Sequence, residues 1–203
     1  MGSARTTDEH RDEARRALEA LVEGNRRFVE GTPESHVVTP EDRAAMVEKQ
    51  TPIAVLLGCV DARVPPEIIT DVGAGDLLTV RTAGQSLTGV ALGSLEFGVR
   101  VLGLPLLVVL GHTGCGAVLA ALADDQPDGH LGDLTGEVAS RLEVVVGHDP
   151  VRATGANLRA TVAALRDLGT LVSPDGHPAH VVGALYDLAT GHITVTDDAG
   201  LLS

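Results

Sequence analysis

Aliphatic runs of five or six residues, set between glycines, prolines and polar turns, give the chain its first outline. Ile53 to Gly58 (IAVLLG), Leu77 to Arg81 (LLTVR) and Leu106 to Gly111 (LLVVLG) are short and rich in branched side chains. Runs of this kind are strands buried on both faces, and such strands belong to parallel sheets whose crossovers are helices. Between the second and third runs, Val90, Leu92, Leu95, Phe97, Val99 and Leu102 predict a buried crossover helix over 89–102. The end of the chain, HVVGALYDLATGHITVTDD, predicts a strand, a turn at Ala189-Thr190-Gly191 and an antiparallel return that closes the sheet edge. The expected fold class is therefore α/β: a mainly parallel five-stranded sheet with an antiparallel edge strand, flanked by helices.

Helical periodicity fills the rest. Ala17, Leu18, Leu21, Val22 and Phe28 recur on one face of a segment from Thr7 to Val29, with charges opposite and Gly31 as a stop. Pro40 to Lys49 predicts a second short helix capped by Thr39, and Pro65-Pro66-Glu67 opens a helical turn. A helix is expected over 114–123, a surface loop over 124–133, and a long helical region over 134–168 broken near Asp149-Pro150. Residues 1–34 form an amphipathic arm expected to pack on a partner subunit, and 35–203 form the α/β domain.

Composition narrows the partners. The 203 residues suit one domain with a sizeable core. A net charge of −13 argues against nucleic acid or an anionic membrane surface, both of which need a basic face. The start MGSARTTDEHRDEARR has no apolar core of a signal segment, and no apolar stretch approaches the ~18 residues of a membrane span, so a cytoplasmic location is expected. With no Trp, one Tyr and two Phe, the interior must be packed with Leu, Val, Ile and Ala.

The only two cysteines change the picture most. Cys59 follows the first strand run, and Cys115 follows the third in the segment His112-Thr113-Gly114-Cys115. In open α/β sheets, sites form in the crevice outside the carboxyl ends of the strands. Two thiols and an imidazole there supply three zinc ligands, and Asp61 either takes the fourth place or leaves it to water. Either cysteine alone reads equally well as a small buried hydrophobe, the pair could form a disulfide, and Asp61 with Arg63 could be a plain surface ion pair. The other histidines, His10, His36, His130, His148, His177, His180 and His192, sit in polar or turn contexts and are expected to be solvated. No phosphate-binding glycine loop is present: Gly73-Ala74-Gly75 lacks the third glycine of a dinucleotide fingerprint.

Cys59-Val60-Asp61-Ala62-Arg63 and His112-Thr113-Gly114-Cys115 resemble the paired signature C-x-D-S-R and H-x-x-C of the β-class carbonic anhydrases. The segments GNRRFVEG, GCVDARVPPE, GAGDLLTVRTAGQ, GSLEFGVRVLGLPLLVVLGHTGCGAV and VVGALYDLATG follow in that family's order, from Asn25 to Asp197. The resemblance implies a zinc enzyme, with one ion per subunit, that hydrates carbon dioxide reversibly to bicarbonate through zinc-bound hydroxide. It assigns Cys59, His112 and Cys115 to the metal. It makes Asp61 and Arg63 a catalytic pair in the open form and Asp61 a metal ligand in a closed form, with the open form expected at alkaline pH. It places Gln50, Leu78, Ala83, Phe97 and Gly116 around the substrate, and Glu67 and Arg81 at a bicarbonate regulatory site that some members carry. Leu56 stands where those members have Trp, and Ala62 replaces the usual Ser. The resemblance further implies a dimer or tetramer. Hydrolysis of carbonyl sulfide or carbon disulfide, and a non-catalytic zinc or bicarbonate scaffold, are the alternatives; retention of Asp61 and Arg63 favours the anhydrase.

Overall fold

The computed structural model describes residues 5–142 and 149–202. Its centre is a five-stranded sheet of β1 (Ala54–Gly58), β2 (Leu77–Arg81), β3 (Leu106–His112), β4 (His180–Tyr186) and β5 (Ile193–Asp197), in the order β2-β1-β3-β4-β5. The first four strands are parallel and β5 runs antiparallel to β4. Every residue of β1 and β3 is buried, as their unbroken aliphatic character requires. Alternation splits them between two cores. Leu56, Val108 and Leu110 face one side, whereas Val55, Leu57, Leu107 and Val109 face the other.

Seven α-helices flank the sheet among the described residues: α1 (Thr7–Glu30), α2 (Pro40–Met46), α3 (Pro66–Ile69), α4 (Gly89–Glu96), α5 (Gly116–Ala121), α6 (Gly129–Ser140) and α7 (Pro150–Asp167). Thr6 with Glu9 and Thr39 with Asp42 form capping boxes at α1 and α2, and Gly31 ends α1 in the left-handed conformation at φ 71°. Leu158, Val162 and Leu165 of α7 join Leu95 and Val99 on one face of the sheet. Ala14, Ala17, Leu18 and Leu21 of α1 cover the other. These four residues of the N-terminal arm join this chain's own core. Asn25 fixes that docking: its Nδ2 donates to the carbonyls of Ile69 (2.8 Å) and Gly191 (2.9 Å), and its Oδ1 accepts from Ile193 N (2.8 Å).

Other expectations shift in detail. α6 begins at Gly129, inside the stretch assigned to a loop. Asp149 caps α7 through its side chain, at the break expected near Asp149-Pro150, while the rest of that stretch, 143–148, lies outside the described residues. The crossover helix passes at Phe97 into a π turn (Phe97–Val101), and Val90 (84 % exposed) and Phe97 (44 %) face outward instead of into the core. The cause is topological: α4 lies beside β2, the edge strand of the sheet among the described residues. Histidine burial also departs from expectation. His10 is 2 % exposed, packed against the His177 and His180 rings, and His36 hydrogen-bonds to Asp71; His148 lies outside the described residues.

Candidate metal centre

From β1 the chain moves outward to β2, then returns across β1 to form β3 on its other side. The direction of winding therefore reverses between β1 and β3, and this switch point opens a crevice at the strands' carboxyl ends. Cys59 leaves β1 there and His112 ends β3 there, with Cys115 one tight turn further on, immediately before α5. Gly114, at φ 64°, makes that turn.

The three ligand atoms lie within 4.8 Å of one another, and all three residues are buried. The sulfurs are 3.9 Å apart and both cysteines are free. Two Zn–S bonds of about 2.3 Å at a tetrahedral angle would span about 3.8 Å, so the separation fits a shared ion. His112 Nδ1–H donates to the Thr113 carbonyl at 2.9 Å, which leaves the lone pair on Nε2. That nitrogen is buried and has no hydrogen-bond partner among the described residues. A buried acceptor without a donor, facing two thiols, is the donor set of a soft or borderline cation.

Electrostatics agree with the geometry. The Cys59 thiol is drawn down by the Cys115 sulfur beside it, against burial, with His112 and the Gly84 and Asp61 backbone assisting. Cys115 is driven upward by the same neighbour and by burial. One thiol of the pair thus ionises readily while the second resists, and a cation between them removes that resistance. Burial opposes a proton on His112, but Cys59, the Thr113 carbonyl and Asp61 raise its affinity overall.

Asp61 stands outside this group. Arg63 Nε and Nη2 donate to its two oxygens at 2.9 and 2.7 Å, and the Arg63 backbone N–H adds a third bond at 2.9 Å. The guanidinium holds the Asp61 carboxyl well below the usual carboxylate range. Its Oδ2 lies 4.0 Å from His112 Nε2, beside the ligands without joining them. The loop is braced from β2, where Arg81 donates to the carbonyls of Cys59 and Asp61, each at 2.7 Å. Spacing alone does not reveal this brace, although the parallel register that sets Arg81 opposite Gly58 does.

A family model described as Carbonic anhydrase matches residues 54–193. The chain belongs to the β-carbonic anhydrase family. It is 40 % identical over 195 residues to "Carbonic anhydrase 2" of Mycobacterium tuberculosis, covering 91 % of this chain and 93 % of that one. It is 38 % identical over 198 residues to a carbonic anhydrase of Mycolicibacterium smegmatis, covering 91 % and 94 %. Among solved structures, one of two tetrameric β-carbonic anhydrases from Sordaria macrospora superposes with a TM-score of 0.64 at 18 % identity, over 78 % of this chain and 87 % of that one.

The residues this family likeness would put around substrate are less gathered than the ligands. Leu78 and Phe97 line one open hollow of about 490 Å³ with Thr79, Val80, Val90, Gly93 and Ser94. Neither a metal-centre residue nor Gln50, Ala83 or Gly116 lines that hollow. Gln50 and Gly116 are exposed, and Ala83 opens the 3₁₀ turn after β2. Glu67 accepts from Thr79 Oγ1 at 2.6 Å, whereas Arg81 is committed to the metal loop. Each side chain of the supposed regulatory pair therefore already has a partner.

Proposed function

We propose that this protein is a zinc-dependent carbonic anhydrase that interconverts carbon dioxide and bicarbonate. The observation that carries the proposal is the combination of a buried Cys59-His112-Cys115 donor set with an ionised, arginine-held Asp61 next to it. A scaffold site needs ligands; it does not need a carboxylate kept ready at its edge.

Cys59 Sγ, Cys115 Sγ and His112 Nε2 would hold the ion, leaving one tetrahedral position on the side of Asp61. Zinc bound there supplies Lewis acidity, which lowers the pKa of a coordinated water from about 15.7 toward about 7. Ionised Asp61 is an acceptor only. It holds a reacting water by its proton, so that a lone pair points toward the carbon of the substrate. Arg63 takes both Asp61 oxygens, which keeps the carboxylate charged and restrains it from swinging onto the metal; when that restraint is lost, Asp61 can close the site. Arg81 fixes the backbone from which Cys59 and Asp61 project.

The substrate wall completes the proposal. Leu78 and Phe97 offer an apolar surface that suits a linear, uncharged gas, with Ala83 and Gly116 on the turns beside the ligands and Gln50 as an amide donor to bicarbonate. Gln50 is exposed in the single chain, and the uncovered β2 edge and α4 present Leu78, Val80, Val90 and Phe97 to a neighbour. We therefore include self-association, as a dimer or an assembly built from it, in the proposal; the tetrameric relatives from Sordaria macrospora support it. Among the described residues, no helix is long and apolar enough to cross a membrane.

Stopped-flow carbon dioxide hydration by zinc-quantified protein, scanned from neutral to alkaline pH, tests the reading. Expected is activity that rises with pH, requires one zinc per chain, disappears with chelation and returns with zinc. Absence of turnover in zinc-replete protein would overturn it and direct assays to carbonyl sulfide and carbon disulfide.

A further inference from the structure

Immediately after β2 the chain makes a buried turn in which two successive residues adopt left-handed backbone, Gly84 at φ 62° and Gln85 at φ 55°. Glycine takes this conformation freely. For Gln85, which is 2 % exposed, it costs about 1 kcal/mol or more, so its surroundings must impose it.

Two side chains from the far side of the fold do so. Asn157, buried on α7, donates from Nδ2 to the Gly84 carbonyl at 2.9 Å and to Gln85 Oε1 at 3.4 Å. Arg141, just past α6, donates to the carbonyls of Gln85 (3.3 Å) and Gly84 (3.4 Å). Glu137 anchors Arg141 at 2.9 Å and accepts the Leu87 N–H at 3.0 Å, which ties down the next part of the loop. The Gly84 N–H, which belongs to the preceding peptide plane of the same turn, points at Cys59 Sγ, 3.5 Å away. A side chain at position 84 would meet Ala117 and Val138 at 3.0–3.1 Å, so the close packing there requires glycine as well.

We propose that Asn157 and Arg141 are positioning residues of the metal centre: by imposing the Gly84–Gln85 turn, they aim the Gly84 N–H at the Cys59 sulfur and so set how strongly that thiolate donates to the bound ion. An N–H···S bond withdraws charge from a thiolate, and two thiolates otherwise oppose the acidity the reaction needs from the metal. The inference rests on the zinc reading of the Cys59-His112-Cys115 group.

The test uses Asn157→Leu, which keeps volume and removes the donor, and Arg141→Lys. As a control, Thr161→Val removes the bond from Thr161 Oγ1 to the Asn157 carbonyl one turn along α7. Each protein is loaded with cobalt(II) and its thiolate-to-cobalt charge-transfer absorption recorded; zinc affinity is measured by chelator competition, and thermal melting is followed in parallel. Removing the N–H···S bond makes the thiolate easier to oxidise. In Asn157→Leu and Arg141→Lys the band is therefore expected to move to lower energy, with a change in zinc affinity of about tenfold. Thr161→Val should lower the melting temperature and leave the band in place. An unmoved band in both positioning variants, whatever their melting temperatures, overturns the proposal. If Asn157→Leu does not fold, the band of Arg141→Lys decides the question by itself. Absence of thiolate-to-cobalt absorption in the parent protein would instead overturn the metal reading itself.

Discussion

Arg63 binds Asp61 through two side-chain nitrogens and its own backbone N–H, although the guanidinium is 59 % exposed. An exposed ion pair adds little stability, so removing it should cost activity and leave the fold intact. Arg63→Ala is expected to retain one zinc per chain and the parent melting temperature while losing about 10²-fold or more in carbon dioxide hydration, the range for a displaced acid–base group. Zinc analysis and stopped-flow assay on the same sample check this, and unchanged turnover would show that the pair is only a surface contact. At this scale the sequence displayed what is local. Cys59, His112 and Cys115 stood out because thiols and imidazole at the ends of aliphatic runs have few structural uses. Gln85, Asn157 and Arg141 did not stand out, since a buried amide on a helix has no signature in spacing and its partners are 56 to 73 residues away.

Among the elements, the docking of α1 depends on a close approach at Gly24. A Cβ there would lie 1.9 Å from the Thr70 carbonyl oxygen, which is backbone and has little freedom to yield. Gly24→Ala is therefore expected to destabilise the protein by about 2 kcal/mol or more, despite the helix propensity it gains, with the loss read by urea denaturation. The start of the same helix makes stability pH-dependent. Burial, with Arg5, His180 and His177 nearby, lowers the His10 pKa to about 4, and Asp175 opposes them. The unfolded chain binds this proton near 6.5 and the folded chain only near 4, so acid favours unfolding. His10's neutral, folded state is fully favourable above about pH 6.5 and becomes a liability as pH falls. Between pH 7 and 5 this should remove roughly 2 kcal/mol. His10→Leu should abolish that part of the slope, because it replaces a buried nitrogen with no partner among the described residues by an apolar group of similar size. An identical slope in parent and variant would place the acid sensitivity elsewhere. The polar spacing around His10 gave no hint of burial: its neighbours come from residues 177 and 180, brought over by the return into β4.

At the level of the whole molecule, the uncovered edge decides what the chain can do alone. Aliphatic runs marked β1 and β3, whose burial on both faces leaves a trace in sequence, and the turn at Ala189-Thr190-Gly191 marked the antiparallel edge. They could not show that one side of α4 would be open, since a residue that faces a second chain looks the same as one that faces its own core. Val90, Phe97 and Val101, at 84 %, 44 % and 62 % exposure, lie on that open side together with strand β2, the sheet edge among the described residues. Each chain also carries a net charge of −13, so two copies repel at long range while their apolar edges attract at contact. If this edge is where copies meet, raising the salt should strengthen association by screening the repulsion. Val90→Asp, which adds charge at the contact and removes apolar area, should weaken it at every salt concentration. Light scattering at micromolar concentration, at low and high salt, is expected to give at least twice the chain mass for the parent and a shift toward single-chain mass for the variant. If this variant falls to a single chain yet keeps its zinc, its carbon dioxide hydration should fall too, because the substrate wall proposed for Leu78 and Phe97 would then stand open to water. Full turnover by a single chain would show that the centre needs nothing from a neighbour.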